Sequence, residues 1–177
     1  MFITNYGMFK KGNITAYPTD TSFGFGVRAD DKSGLDALYA LKNRPATKHT
    51  SLMVKDWQML CEYAQVPSEI DEAFFVDEPR TVILKPTAKL PQSEYWPVNS
   101  VGFRIATVPE VAAAIDYPVT ATSANLSGEP NIYDPKQITA QWGSKVVLFA
   151  GSQKLDSSVS PSEIWDYTDP AQPKRIR

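Results

Sequence analysis

The stretch PVTATSANLSGEP, Pro118 to Pro130, opens as a short β-branched strand and closes as a loop crowded with Ser, Thr and Asn. If the strand runs on through Ser123, Ser123 and Asn125 face the same way, and Gly128 permits the turn that follows. Two uses fit so many small hydrogen-bonding groups: a structural turn, or the wall of a pocket for a polar ligand. Asn125 to Ser127 also reads as a glycosylation sequon. That reading needs a secretory signal, and the N-terminal MFITNYGMFKKGN lacks the apolar run of one.

Outward from this stretch, the chain has 177 residues, 42% hydrophobic and 21% charged, which fits one globular domain over residues 1–177. A net charge of −2 gives no strong long-range attraction for nucleic acid or anionic lipid, so any bound anion must be held locally. The single cysteine, Cys61, cannot form an internal disulfide, and its apolar position in a helix-like stretch reads as core packing. No run approaches the roughly 18 residues needed to span a bilayer. A cytoplasmic protein without a membrane role is the expectation.

Strand-like segments recur at ITAY before Pro18, SLMV ending at Val54, TVILK ending at Lys85, VGFRI ending at Ile105, PVTAT, KVVLFA ending at Ala150 and EIWDY ending at Tyr167. Helical candidates lie between them. DKSGLDALYALKN places Leu35, Leu38 and Leu41 a turn apart, DWQMLCEYAQV does the same with Trp57, Leu60, Cys61 and Ala64, and VPEVAAAI and DPKQITAQW carry Pro near the first turn. Strands do not alternate strictly with helices, so an α/β fold with a mixed sheet and helices around it is predicted. KPTAKLPQSEYWPVNS and GSQKLDSSVSPS read as surface loops.

One histidine, His49, and one cysteine exclude a His and Cys zinc cluster within the chain, and no P-loop is present. FGFG at Phe23 to Gly26 is a fragment of a glycine-rich loop, more simply read as a close backbone approach. Three constellations remain. In YPTDTSFGFG, an extended Thr19 to Thr21 would put two hydroxyls on one face with Asp20 on the other. In LKNRPATKHTSLMV, Pro45 forces Arg44 toward an extended conformation, so with the helix broken Lys42, Arg44 and Lys48 can converge on one anion. The plainer reading is a helix C-terminus dressed with cations. The third constellation is the opening stretch. Together they offer hydroxyls and an amide for recognition and cations for phosphate.

At these residues the chain resembles the YrdC/Sua5 family (also called TsaC), the threonylcarbamoyl-AMP synthases. The resemblance rests on PTDTSFGFG, KNRPATKHT, TVILKP, VGFRIA, TSANLSGEP, PSEIWD and a terminal RIR, in that order across nearly the whole chain. It implies a single-domain YrdC-like fold, a twisted mixed β-sheet flanked by helices around a deep positively charged concave site. It implies further that Lys42 and Arg44 are catalytic and, with Lys48, Thr81, Arg104, Ser123, Asn125, Ser162 and Arg177, hold ATP. Thr19, Thr21 and Thr122 are then the candidates for L-threonine. The implied activity is a nucleotidyltransferase reaction joining L-threonine, bicarbonate and ATP, with Mg2+ bound through the phosphates and no metal held by protein side chains. Its product would pass to the transferase machinery that modifies tRNA, and tRNA binding by the chain itself would be weak.

The match is to the short branch of the family, without the extra C-terminal domain of the longer one. It departs at FFVDEPR, where Asp77 and Glu78 replace small neutral residues, at Lys48, His49 and Thr50, and at Glu163, which replaces a threonine. Asp77, Glu78 and Glu163 would put negative charge near a phosphate site. A non-catalytic nucleotide- or RNA-binding module of the same fold is therefore the alternative. A carbamoyl-transfer domain of the hydrogenase-maturation kind is a third reading, but its usual companion modules are not found in the chain.

Overall fold

The computed structural model describes residues 8–177; the first seven residues of the N-terminal segment read above lie outside them. Ten strands are described: β1 Thr15–Pro18, β2 Phe23–Gly26, β3 Ser51–Val54, β4 Ala64–Gln65, β5 Arg80–Pro86, β6 Val101–Ile105, β7 Val119–Ser123, β8 Val147–Leu148, β9 Glu163–Asp166 and β10 Lys174–Arg175. Five α-helices accompany them: α1 Lys32–Leu41, α2 Trp57–Tyr63, α3 Glu72–Val76, α4 Pro109–Ala114 and α5 Pro135–Trp142. The strand order is β10-β9-β5-β6-β3-β7-β2-β1-β8, with β4 paired to β5 off this path. The β3–β6, β5–β9 and β1–β8 pairs are parallel and the others antiparallel, which makes the sheet mixed, as predicted.

The helices start where the sequence supplies caps. Asp31, Asp56, Asp71 and Asp134 each accept a hydrogen bond from a first-turn amide of α1, α2, α3 and α5 respectively, satisfying donors that would otherwise be orphaned. α4 instead begins with Pro109 at its first turn.

Strand register divides the sheet into two chemically distinct faces. Val82 opposes Phe103, which opposes Leu52, which opposes Thr120; all four are fully buried, and α2 and α3 pack against these strands. One residue along, Thr81 of β5, Arg104 of β6 and Met53 of β3 project from the other face. That face is built largely of small or polar groups, including Ser51, Gly102 and Ala121. A period-2 pattern thus puts the apolar core on one side and leaves a recess on the other.

Several expectations are revised. FGFG is strand β2, and its glycines allow close packing: a Cβ on Gly26 would lie 2.5 Å from a ring carbon of Phe9 and 2.9 Å from one of Tyr17. Thr19 to Ser22 is the turn between β1 and β2, not an extended segment, and Thr19 N–H donates to the Ser22 carbonyl. α2 ends at Tyr63, and Ala64, expected on the helix, begins β4. Cys61 is exposed instead of buried, because the apolar face of α2 is carried by Met59, Leu60 and Tyr63. KVVLFA pairs over Val147–Leu148 alone. The short α3 and the β4 and β10 pairs had no sequence signal strong enough to name them.

Candidate functional site

A cavity of about 340 Å³ opens on the polar face of the sheet, within the volume range of small-molecule sites. Its wall is contributed by segments far apart in sequence: the β1–β2 turn, the loop after α1, the polar faces of β3, β5, β6 and β7, and the segment around Ser162. Nine of the twelve residues singled out from sequence line it. Thr19, Thr21, Thr81, Thr122, Ser123 and Ser162 are hydroxyl-bearing residues among them, and Arg44, Arg104 and Arg177 bring the charges.

The threonine pair survives the loss of extended geometry. In the β1–β2 turn the Thr19 hydroxyl donates to the Ser22 carbonyl at 2.7 Å and accepts from the Thr21 amide at 3.1 Å, and it lies 3.1 Å from the Thr21 hydroxyl. A turn, and not strand alternation, holds the two oxygens together. Parallel pairing of β5 with β9 sets Thr81 beside the start of β9, and the Thr81 and Ser162 hydroxyls lie 3.1 Å apart.

Three arginines enter differently. Arg44 follows Asn43, whose φ of 49° turns the chain out of α1. Its guanidinium donates to the carbonyls of Lys48 at 2.8 Å and His49 at 2.7 Å, so it stiffens its own loop while facing the cavity. Arg104 is bonded to Asp20, which makes that arginine a neutralised element of the wall. Arg177 donates two hydrogen bonds to the Ser162 carbonyl, at 3.1 and 2.9 Å. Neither Arg44 nor Arg177 pairs with a side-chain carboxylate among the described residues.

Lys42, Lys48 and Asn125 do not line this cavity. Lys48 is exposed on the loop. Asn125 is buried and its side-chain oxygen accepts from the Ser123 hydroxyl at 2.6 Å, so the two side chains do meet, but the chain turns after β7, where the Asn125 amide donates back to the Ser123 carbonyl at 3.0 Å, and Asn125 stays off the cavity wall. Lys42, expected at the mouth and converging with Arg44 and Lys48, is 1% exposed and points inward. Burial, with Arg44 nearby, pushes its ammonium down to about 7.

The acidic departures lie off the site. Asp77 and Glu78 are exposed and do not line the cavity. Glu163 alternates with the cavity-lining Ser162 and Ile164 and so points to the other face. There it accepts from the Trp165 indole at 2.9 Å and pairs with Arg80 at 3.2 Å and Arg175 at 2.8 Å. The Trp165 hydrogen bond, aided by these arginines, holds its carboxyl below the usual range. The concern that Glu163 repels a bound phosphate is removed.

Sequence reading missed Tyr17, Ser51 and Asn131 as cavity residues. Tyr17 is fully buried and its hydroxyl donates to the Thr120 carbonyl at 2.9 Å, with burial raising its pKa. Ser51 was detectable only through register, since it is paired with Ala121. Among the described residues no cluster of three or more His, Cys, Asp or Glu is placed to hold a metal ion, and no helix is long and apolar enough to cross a membrane.

Comparison with known proteins gives a consistent result. Threonylcarbamoyl-AMP synthase of Mannheimia succiniciproducens is 30% identical over 166 residues, covering 89% of this chain and 89% of its own length. The crystal structure of P. abyssi Sua5 complexed with L-threonine superposes with a TM-score of 0.81 at 23% identity, covering 97% of this chain and 52% of that one. This chain therefore spans about half the length of the P. abyssi protein. E. coli YciO gives a TM-score of 0.81 at 25% identity, covering 96% of this chain and 84% of that one. The Sua5_yciO_yrdC family model, described as "Telomere recombination", matches residues 7–177. The chain belongs to the Sua5/YciO/YrdC family.

Proposed function

We propose that the chain is a threonylcarbamoyl-AMP synthase, a nucleotidyltransferase that joins L-threonine, bicarbonate and ATP. What carries the reading is the convergence of the motif segments on one recess. Hydroxyls of Thr19, Thr21, Thr122 and Ser123 face it together with the guanidinium groups of Arg44 and Arg177, neither of which is neutralised by a side-chain carboxylate among the described residues. Chemistry supports these substrates: arginines suit the polyphosphate, and a wall of small hydroxyl-bearing residues suits an amino acid and an adenylate. L-threonine is the ligand of the P. abyssi neighbour, and this cavity is proposed to take the same amino acid.

The reaction needs no covalent bond to the protein. The threonine amine attacks bicarbonate and water is lost, giving a carbamate; a carbamate oxygen then attacks the α-phosphorus and pyrophosphate leaves. Negative charge gathers on the departing β- and γ-phosphates, where Arg44 and Arg177 supply compensating charge. ATP would enter with Mg2+ held by its phosphates. Thr81 and Ser162 would hydrogen-bond the nucleotide and Thr21 and Thr122 the amino acid. Fixing two charged reactants in register supplies the remaining acceleration. The labile adenylate would be consumed by a transferase acting on tRNA, with any direct tRNA contact weak and salt-sensitive.

The test is pyrophosphate release from ATP by the purified protein. Release that requires both L-threonine and bicarbonate is expected. ATP binding without release under those conditions would replace this reading with that of a non-catalytic nucleotide-binding module.

A further inference from the structure

Lys42 is the deepest charged side chain of the described molecule, 1% exposed, and it does not itself line the cavity. Its ammonium donates to the Ser123 carbonyl, to the Asn125 carbonyl at 2.7 Å and to the Asn125 side-chain oxygen at 3.1 Å. An ammonium has three donors, and all three are used on one loop. No carboxylate shares it, and the ring of Phe25 lies 5.5 Å from the nitrogen. A burial of this kind is tolerated only where hydrogen bonds are complete.

The opposite end of the same residue holds the same loop. The Lys42 carbonyl accepts from the Ser127 amide at 2.9 Å, a bond that α1 leaves available because carbonyls at a helix C-terminus lack intrahelical partners. Asn125 extends the arrangement. Its side-chain oxygen also accepts from the Ser123 hydroxyl at 2.6 Å, and its side-chain amide donates to the Glu129 carbonyl. Ser123 faces the cavity, and so does Arg44, two residues beyond Lys42. One residue therefore spans the two motif segments, which lie more than 80 positions apart in sequence.

We propose that Lys42 is a positioning residue whose ammonium clamps the Ser123–Ser127 loop to the end of α1, so that Ser123 and Arg44 are presented to the same cavity. Lys42 does not touch bound phosphate. This rests on the nucleotide reading above for its consequence, though not for its geometry. Without the clamp, the Asn125 carbonyl is left buried without its donor and the Ser123 carbonyl keeps only the Asn125 amide, and the loop must move to hydrate them.

The experiment compares wild type with Lys42→Met, which keeps the unbranched stem of the side chain as far as the ε carbon and removes the donors. Amide hydrogen exchange in the ligand-free protein is followed at Asn125 and Ser127, and ATP and AMP affinities are measured by calorimetry. Loss of the clamp should speed exchange at both amides by about tenfold or more, the factor expected when a charge-assisted bond is lost. ATP and AMP affinities should fall by the same factor, because the shape of the wall has changed. Unchanged exchange, with ATP weakened and AMP untouched, would overturn the proposal and make Lys42 a ligand of the outer phosphates.

Rescue tests the chemistry of the group. In a Cys61→Ser background, Lys42→Cys alkylated to the thialysine side chain regains an ammonium, and both exchange protection and affinity should return. Failure of either to return counts against the clamp. Should Lys42→Met not fold, the wild type still decides through an amine-reactive reagent. Without nucleotide, Lys42 should react far more slowly than the exposed Lys48, and equal reactivity refutes the inward-facing ammonium. If wild type binds neither nucleotide, the functional reading fails, while exchange and labelling continue to judge the clamp.

Discussion

Raising the pH should stabilise this protein through Lys42. Its ammonium is pushed from the ordinary 10.5 down to about 7 by burial, with Arg44 adding to the effect. Between those values the unfolded chain carries a proton that the folded chain has released. Stability then rises with pH, because the unfolded state binds more protons. Below about pH 7 both states are charged and the penalty for burying the ammonium is fully present; it disappears as the pH approaches 10.5. The slope approaches about 1.4 kcal/mol per pH unit once the folded group has lost its proton, so between pH 7 and 9, starting half protonated, this one group adds roughly 2 kcal/mol. Urea unfolding midpoints at fixed ionic strength, from pH 6 to 9, measure it. Lys42→Met removes the titration, and the difference between the two proteins cancels the other groups. Parallel curves for the two proteins would show that the folded ammonium keeps an ordinary pKa, and the reasoning from burial would fail. A steep difference would mean that the charged form, which alone supplies all three donors, is held at and below about pH 7 against global stability, a common compromise at functional sites.

Substitutions at three further positions probe other parts of the frame. A Cβ on Gly102 would lie 2.5 Å from the Ser51 hydroxyl and 3.1 Å from a methyl of Thr81, so Gly102→Ala should destabilise by about 1–3 kcal/mol and weaken nucleotide binding, read by thermal unfolding and calorimetry. Asn43 has a φ of 49°: Asn43→Gly should be close to neutral in chemical unfolding, whereas Asn43→Val should cost about 1–2 kcal/mol. Glu163 faces away from the cavity toward Arg80, Arg175 and Trp165. Glu163→Gln should leave pyrophosphate release within about twofold of wild type, since partly exposed ion pairs contribute little. A large loss of turnover in Glu163→Gln would contradict the side of the sheet assigned to it.

Much of the architecture was legible in the chain because its signals are local. Strand segments such as SLMV and VGFRI pair close to their sequence bounds, and α1 begins at its Asp cap and ends where Asn43 reverses the backbone. Gly128, needed for the turn after the Thr and Ser run, has a φ of 93°. The ordered series of motifs identified the family. Elements such as α3 and β10 were not legible, being too short to show a period and stabilised by neighbours distant in sequence.

By itself, then, the sequence determined which elements form, where they are capped and which family the chain resembles, because propensity, capping and turn chemistry act over a few residues. Only tertiary structure decided which polar groups share a cavity. Strand alternation turned Glu163 away while keeping Ser162 and Ile164 at the site, a result that depends on register with β5. The two cations read as equivalent in KNR were separated by a broken helix end: Arg44 remains at the cavity, and Lys42 is drawn inside by carbonyls from a loop more than 80 residues away. That pairing has no local signature, because an ammonium finds its acceptors only after the sheet and α1 have packed together.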